Sequence, residues 1–287
     1  MALSSDVKQA AHTAGADLVG VASIDRFEGV PAEHHPRSIF PETASVVVLG
    51  KRVVRGCLRG VEEGTQFALY DQYAVNWVPD RFLALITVAV ATYLEDNRWE
   101  AVPLPDLPAG TPPMGVPVRP GQPAPNVMVD TYDAAVRAGL GRFGYSGEFL
   151  TPQFGPRQRL QTILTDAPLE SDPLQTDPVC RLCKACVATC PLGALKETEE
   201  TILDICGLRM PMAGIDWETC AVCKNGARPN PRHPSGRPDR LAALCQRTCV
   251  HHWDAGAGER GSFQSPFRKR PAWRVDAMGN ASTAGEV

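Results

Sequence analysis

No stretch of this 287-residue sequence reaches the ~18 uninterrupted apolar residues of a membrane span; the longest, residues 82–94, is broken by threonine. The opening MALSSDVKQAAHTAGADLVG has no basic segment leading into an apolar one, so no secretory leader is expected. Charge of neither sign is in excess: 29 Lys+Arg against 32 Asp+Glu give a net −3, with no general drive toward nucleic acid or anionic lipid. Low apolar content is also absent, since 44% hydrophobic and 21% charged residues exclude global disorder. These absences lead us to expect a globular protein of the reducing cytoplasm with no membrane partner.

What is abundant is glycine (25), proline (26) and cysteine (10). Glycine and proline at this level imply many turns. Nine of the cysteines lie between Cys180 and Cys249, and the tenth, Cys57, reads as a core thiol. Without a leader, a disulfide scaffold is the weaker explanation and metal chemistry the stronger.

The first half alternates helical and strand patterns. A serine-capped helix is expected from Ser4 or Ser5 to Ala14, strands at 18–24 and 44–54, and a long helix opened by Pro79 and Asp80. Leu83, Ile86, Val90 and Leu94 share one face of that helix, and Leu85 and Val88 make its other side apolar, so burial on two sides is expected. The prolines of 103–125 deny that segment a ladder or a helix. A short helix over 133–138, the glycine-dense AGLGRFGYSG, a strand at 160–165 and a linker at 166–178 precede the cysteines. Beyond residue 254, Arg268-Lys269-Arg270 reads as part of a solvated arm.

Cys180-x2-Cys183-x2-Cys186-x3-Cys190-Pro191 has the bacterial ferredoxin spacing, in which three thiolates hold one cluster and the fourth, carried away by proline, holds another. Zinc ordinarily takes two separated pairs, so a zinc-stabilised binding module is the lesser reading. The crossover requires a second set, and Cys206, Cys220, Cys223, Cys245 and Cys249 leave one thiol surplus over the eight of two [4Fe-4S] clusters. We expect Cys180, Cys183, Cys186 and a late cysteine, Cys249 ahead of Cys245, on the first cluster. Cys190, Cys206, Cys220 and Cys223 are expected on the second. Clusters relay electrons, so the residues before them are expected to house an acceptor.

The segments VKQAAHTAGADLVGVASID, PETASVVVLGKRV, YLEDNRWEAVPLP, AGLGRFGYSGEFLTPQFGPRQRLQTILTDAPL and CRLCKACVATCP follow one another in an order that resembles the corrinoid iron–sulfur oxidoreductases. That group contains epoxyqueuosine reductase and the reductive dehalogenases. The resemblance implies an α+β (α/β) chain: a nitroreductase-like domain over 1–176 holding cobalamin, a ferredoxin-like module over 177–253, and an arm over 254–287. It implies a corrin cradle of Gly139, Gly141, Arg142, Gly144, Gly147, Gly155, Pro156 and Arg157. It also implies a proton donor at Asp130, with Tyr132 and Tyr145 as alternatives and capping of the next helix as the plainer role of Asp130. A ferredoxin- or flavodoxin-type donor would supply electrons for a small-molecule substrate or a partner redox enzyme. The helical-repeat extension used for tRNA and the twin-arginine signal of respiratory dehalogenases have no counterpart here, so tRNA is not expected as a partner.

Overall fold

In the computed structural model, which describes residues 2–104, 115–125, 127–230, 237–256 and 263–283, the apolar run Val46-Val47-Val48-Leu49 forms the centre of a four-stranded sheet. Strand β1 (Leu18–Ser23), β2 (Ser45–Arg52), β6 (Gln158–Thr165) and β3 (Ala101–Leu104) lie in the order β1-β2-β6-β3, every neighbouring pair antiparallel. Successive side chains alternate faces, so Val46 and Val48 enter one core while Val47 and Leu49 enter the other. Both faces are covered, which explains why these strands read as continuous apolar runs.

Over one face pack α1 (Ala2–Thr13) and α3 (Ala84–Asp96), through Val7, Ala11, Ile86, Val90 and Leu94. The helix begins earlier than expected: π-type turns from Tyr70 to Leu83 run into α3, with Pro79 inside them. By length and composition alone, Tyr70–Asp96 is apolar enough to cross a membrane, and 44% of that stretch is buried within the protein. Leu85 and Val88 are exposed, so α3 buries one side, not two. Nor does a serine cap α1, which starts at Ala2; Ser4 is buried within it, and its Oγ accepts from Glu170 N at 2.6 Å.

Over the other face pack α4 (Thr131–Arg137) and the tip of a long hairpin, β7 (Leu195–Ile205) with β8 (Leu208–Ile215). Strand β3 includes Pro103, which the ladder tolerates because β3 is at the sheet edge. Residues 105–114 of the proline-rich loop lie outside the described residues. Residues 166–178 are not a free linker. Asp172 N donates to Val21 O at 2.9 Å, Val21 N to the Asp172 carboxylate at 2.8 Å and Ser23 N to Ser171 Oγ at 2.6 Å, covering the opposite edge, β1.

The remaining elements are two short pairings, β4 (Arg142–Phe143) with β5 (Phe149–Leu150), and β9 (Trp273–Val275) with β10 (Ala281–Thr283), and four helices: α2 (Arg59–Glu62), α5 (Ala185–Ala188), α6 (Trp217–Ala221) and α7 (Leu244–Gly256). The C-terminal basic segment is only in part a solvated arm, with Lys269 and Arg270 exposed. Phe267 is buried against Leu58, Tyr70 and Val250, and Arg268 reaches the buried Glu62. Glu62 also pairs with the fully buried Arg247 of α7, so α2, α7 and the basic segment meet in one ion triad. Cys57 lies in the same core, as expected.

Candidate functional site

The thiols gather into two groups. Cys180, Cys183, Cys186 and Cys249 line one cavity of about 220 Å³ together with Gly144, Tyr145, Ser146 and Trp253. Its loop carries left-handed backbone at two non-glycine residues, Leu182 (φ 52°) and Lys184 (φ 56°). Such left-handed turns cost energy in an L-residue, and alternated with right-handed ones they aim N–H groups at anionic centres, iron–sulfur sites among them. Tyr145 N donates to Cys180 Sγ at 3.5 Å.

In the second group the buried Cys220 lies within electrostatic reach of Cys190 and Cys223, and the buried Cys245 within reach of Cys190 and Cys220. Asn225 Nδ2 donates to Cys223 Sγ at 3.6 Å. Helix α7 supplies one thiol to each group, Cys245 and Cys249 standing one turn apart.

Cys206 joins neither. It occupies the first position of the two-residue turn between β7 and β8, where both Cys206 (φ 53°) and Gly207 (φ 77°) have the positive φ of a type I′ hairpin. The hairpin carries it to the N-terminal sheet, where Arg137 Nη1 lies 3.5 Å from its sulfur. The expected second set is corrected accordingly, with Cys245 in the place of Cys206.

Burial pushes the Cys186 thiol up to about 12 and the Cys220 thiol up to about 11, and raises Cys245 and Cys249 as well. Buried neighbouring thiols resist ionisation, so a bound cation is what would make them thiolates. Among the described residues no three His, Cys, Asp or Glu side chains converge tightly enough for a single metal ion. Thiols ringing a cavity suit a multi-atom iron–sulfur group better than zinc, whose sulfurs all stand about 2.3 Å from one ion.

Beside the second group opens a cavity of about 460 Å³ lined by Asp130, Tyr132, Phe143, Glu148, Phe149, Arg159, Trp217 and residues 237–240. Asp130 caps α4, accepting from Tyr132 N at 2.8 Å and Asp133 N at 3.1 Å. Burial nevertheless raises its carboxyl above the usual aspartate value against those two N–H groups. Capping and cavity lining are thus both properties of Asp130. Three of the cavity's four arginines are paired, Arg228 with Asp71, Arg159 with Asp239, and Arg240 with Glu148, and the fourth, Arg237, stands over the Trp217 ring at 4.6 Å. Burial raises Glu148 too, even with Arg240 beside it. Tyr132 shares this cavity, whereas Tyr145 belongs to the wall of the first thiol group.

The residues expected to cradle a corrin do not converge. A Cβ on Gly139 would meet Pro173 O at 2.1 Å, one on Gly141 Leu150 O at 2.1 Å, and one on Gly155 the Trp253 ring at 2.8 Å. These glycines give room to the chain itself. Arg142 is buried, with Thr176 O and Arg209 O as acceptors. Gly144 lines the first thiol cavity, Gly147 the cavity of Asp130, and Arg157, next to Pro156, a third cavity with Arg52, Arg55 and Trp253. The eight positions therefore do not form the single cradle that a corrin needs.

Sequence reasoning missed Glu148, Arg159, Trp217 and Arg240. Arg159 stands two residues beyond the arginine chosen from GPRQR; the others lie in segments where only the folded chain brings them together.

No family model matches the chain. Tetrachloroethene reductive dehalogenases from Desulfitobacterium hafniense are 41% identical to it over 69 residues, 23% of this chain and 12% of theirs. That of Sulfurospirillum multivorans is 40% identical over 70 residues, 23% of this chain and 14% of the relative. An epoxyqueuosine reductase from Listeria monocytogenes serovar 1/2a is 40% identical over 73 residues, 24% of this chain and 19% of the relative. The matches thus span under a fifth of the curated relatives' lengths. Among solved structures, a reductive dehalogenase described as B12-dependent aligns over 98% of this chain and 41% of its own, at 18% identity and a TM-score of 0.54. A catabolic reductive dehalogenase aligns over 96% of this chain and 39% of its own, at 18% identity and 0.51. The chain thus has a mixed helix and strand fold like theirs, and both branches of the group resembled by its motifs recur among its relatives. Those relatives support a reductase role. With an epoxyqueuosine reductase among them, the expectation that tRNA is not a partner has no support.

Proposed function

We propose that this chain is an iron–sulfur oxidoreductase that passes low-potential electrons through two [4Fe-4S] clusters to an acceptor in the cavity of Asp130. Cys180, Cys183, Cys186 and Cys249 would hold one cluster, and Cys190, Cys220, Cys223 and Cys245 the other. Four-iron clusters supply one-electron chemistry at potentials reaching down to about −700 mV. Residues 1–176 then supply one side of the acceptor cavity, 177–253 the relay together with the cavity's other side at Trp217, Arg228 and 237–240, and Phe267 and Arg268 brace α7. The single observation carrying this reading is the grouping of eight thiols in two fours, the second beside a cavity that holds a buried carboxyl of raised pKa.

In the cavity the chain's own residues bind and protonate. Tyr132, Phe143, Phe149 and Trp217 offer apolar surface to a small substrate, and Arg159, Arg228 and Arg240 offer positive charge already balanced by carboxylates. Asp130 holds its proton to a higher pH than an ordinary aspartate and delivers it to the reduced product. Cobalamin is the acceptor that the resemblance implies. The eight residues expected to cradle it lie apart, in three different cavities or packed against the chain itself. The filling of that cradle favours a second reading: an activator without its own corrin, reducing the cofactor of a partner redox enzyme. A soluble ferredoxin- or flavodoxin-type donor, in the cytoplasm, completes either reading.

Anaerobic reconstitution tests the proposal: about eight irons and eight sulfides per chain are expected, and two zincs with no sulfide would overturn it. Titrating cobalamin into the loaded protein separates the two readings, since a base-off absorption spectrum restores the chain's own corrin and an unchanged spectrum leaves the partner's.

A further inference from the structure

Arg240 is buried between the second thiol group and the cavity of Asp130, and its donors are unevenly used. Nη2 donates to Ser146 O at 3.0 Å and pairs with Glu148 Oε1 at 2.9 Å. The guanidinium carbon stands 4.9 Å from the centre of the Trp217 ring. Nη1 is enclosed and has no hydrogen-bond partner. An enclosed guanidinium N–H without an acceptor is costly, because the charged group loses water and gains no partner in exchange. One carboxylate and one carbonyl do not use the fork fully. The groups interacting electrostatically with it, besides Glu148, are Cys220 and Cys245.

We propose that Nη1 of Arg240 donates to a sulfur of the cluster held by Cys190, Cys220, Cys223 and Cys245, and so raises the reduction potential of the cluster that faces the acceptor cavity. This rests on the two-cluster reading. A cluster that takes one electron from a low-potential donor gains one negative charge. A buried cation beside it stabilises the reduced form over the oxidised one, and a hydrogen bond to sulfur acts in the same direction. The carboxylate of Glu148, paired with the guanidinium, opposes part of this field at Cys220 and Cys245. Among the described residues the cations lining the first cavity are Arg181 and Lys184, and neither is buried: Arg181 donates to Gly256 O, and Lys184, above the Tyr145 ring, pairs with Glu197. Arg240 is a positioning residue, since it acts on the acceptor through the cluster.

The test is a redox titration of the anaerobically loaded full-length chain, followed by electron paramagnetic resonance. The signal lost in Cys245→Ser identifies the second cluster. Arg240→Met should shift that cluster's one-electron equilibrium toward oxidised by tenfold or more, about 59 mV to more negative potential, and leave the first cluster in place. Arg240→Lys should keep most of the wild-type value. Glu148→Gln, which spares both the arginine and the thiols, should move the second cluster to more positive potential. An Arg240→Met protein with its full iron and an unmoved potential overturns the inference. Should Arg240→Met lose iron, an unmoved potential in Glu148→Gln overturns it instead. A wild-type chain that takes up no iron or sulfide refutes the two-cluster reading itself, which is a different result.

Discussion

Three thiols of the first group lie within seven residues of one another, whereas the second group draws Cys190, Cys220, Cys223 and Cys245 from three separate segments. The first is shaped by one strained loop, with left-handed backbone at Leu182 and Lys184, and needs only Cys249 from elsewhere. The second forms only where the start of α7 returns to the chain beyond α6, Leu244 N donating to Asn225 O at 3.0 Å. Proximity in sequence makes the first cheap in chain entropy, and closure over longer loops makes the second depend on the tertiary fold. The second is also the group beside the buried cavity with a carboxyl, so the costlier assembly stands where chemistry is expected.

The largest effect should come from removing a thiol of the dependent group. Cys245→Ser is expected to cut iron to roughly half of the eight a two-cluster chain carries and to abolish electron delivery to any acceptor. Cys206→Ser should leave iron, sulfide and spectrum unchanged, because its sulfur sits in the hairpin turn near Arg137. Metal analysis of the two variants breaks the comparison if their results are exchanged.

Next in size is the brace that serves both groups. Arg247 lies on α7 between Cys245 and Cys249 and is fully buried against Glu62, which also accepts from Arg268 Nε at 2.6 Å. Leaving a buried guanidinium unpaired costs about 3–5 kcal/mol, so Glu62→Ala should lose that much in denaturant unfolding and loosen both thiol groups together. Burial pushes the Glu62 carboxyl up, but Arg268 and Arg247 more than offset this and hold it below its ordinary 4.5. The stability it contributes is therefore complete above the unfolded value of 4.5 and is lost as pH falls through the lower folded value. Wild type should show this acid loss and Glu62→Ala should not.

A smaller effect should single out the first group. Gly155 has φ 58° and a Cβ there would stand 2.8 Å from the ring of Trp253, a wall of the first thiol cavity. Gly155→Ala should cost about 1–2 kcal/mol for the left-handed backbone, plus whatever the displaced tryptophan adds. The spectroscopic change should appear in the first cluster and not in the second.

How far each region could be read from the sequence follows the same division. The apolar run Val46–Leu49 and the spacing of Ile86 with Val90 and Leu94 are regular, and the strand and the buried helix face appear where they are expected. The contiguous cysteine motif yields three neighbours for the same reason. Periodicity does not say whether an apolar face is covered, so Leu85 and Val88 looked buried and are exposed. Cysteine spacing does not say where a hairpin points, so Cys206 reads as a ligand of the second cluster and Cys245 as the surplus thiol. A dense run of glycines signals close approach without naming the partner; at Gly139, Gly141 and Gly155 the partner is the chain's own backbone or Trp253. Arg240 carried no sequence signal because its role arises only from what the fold encloses around it.

The smallest stability effect bears on the cavity and separates the two roles of Asp130. Alanine there removes the acceptor for Tyr132 N and Asp133 N and should cost about 1 kcal/mol, whereas asparagine caps as well as aspartate does. Burial raises the Asp130 carboxyl, so its favourable contribution is present below the ordinary 3.8 and is lost as pH rises through the folded value. Asp130→Asn, which carries no charge to bury, should then be at least as stable as wild type at pH 7, with Asp130→Ala below both. Capping alone predicts that asparagine preserves turnover. A proton supplied from Asp130 predicts that asparagine loses it, and that the wild-type rate declines with rising pH while the residual rate of the variant stays flat. Stability and rate measured on the same two substitutions therefore part in opposite directions, and only a carboxyl that both caps α4 and serves the cavity makes Asp130→Asn stable and inactive.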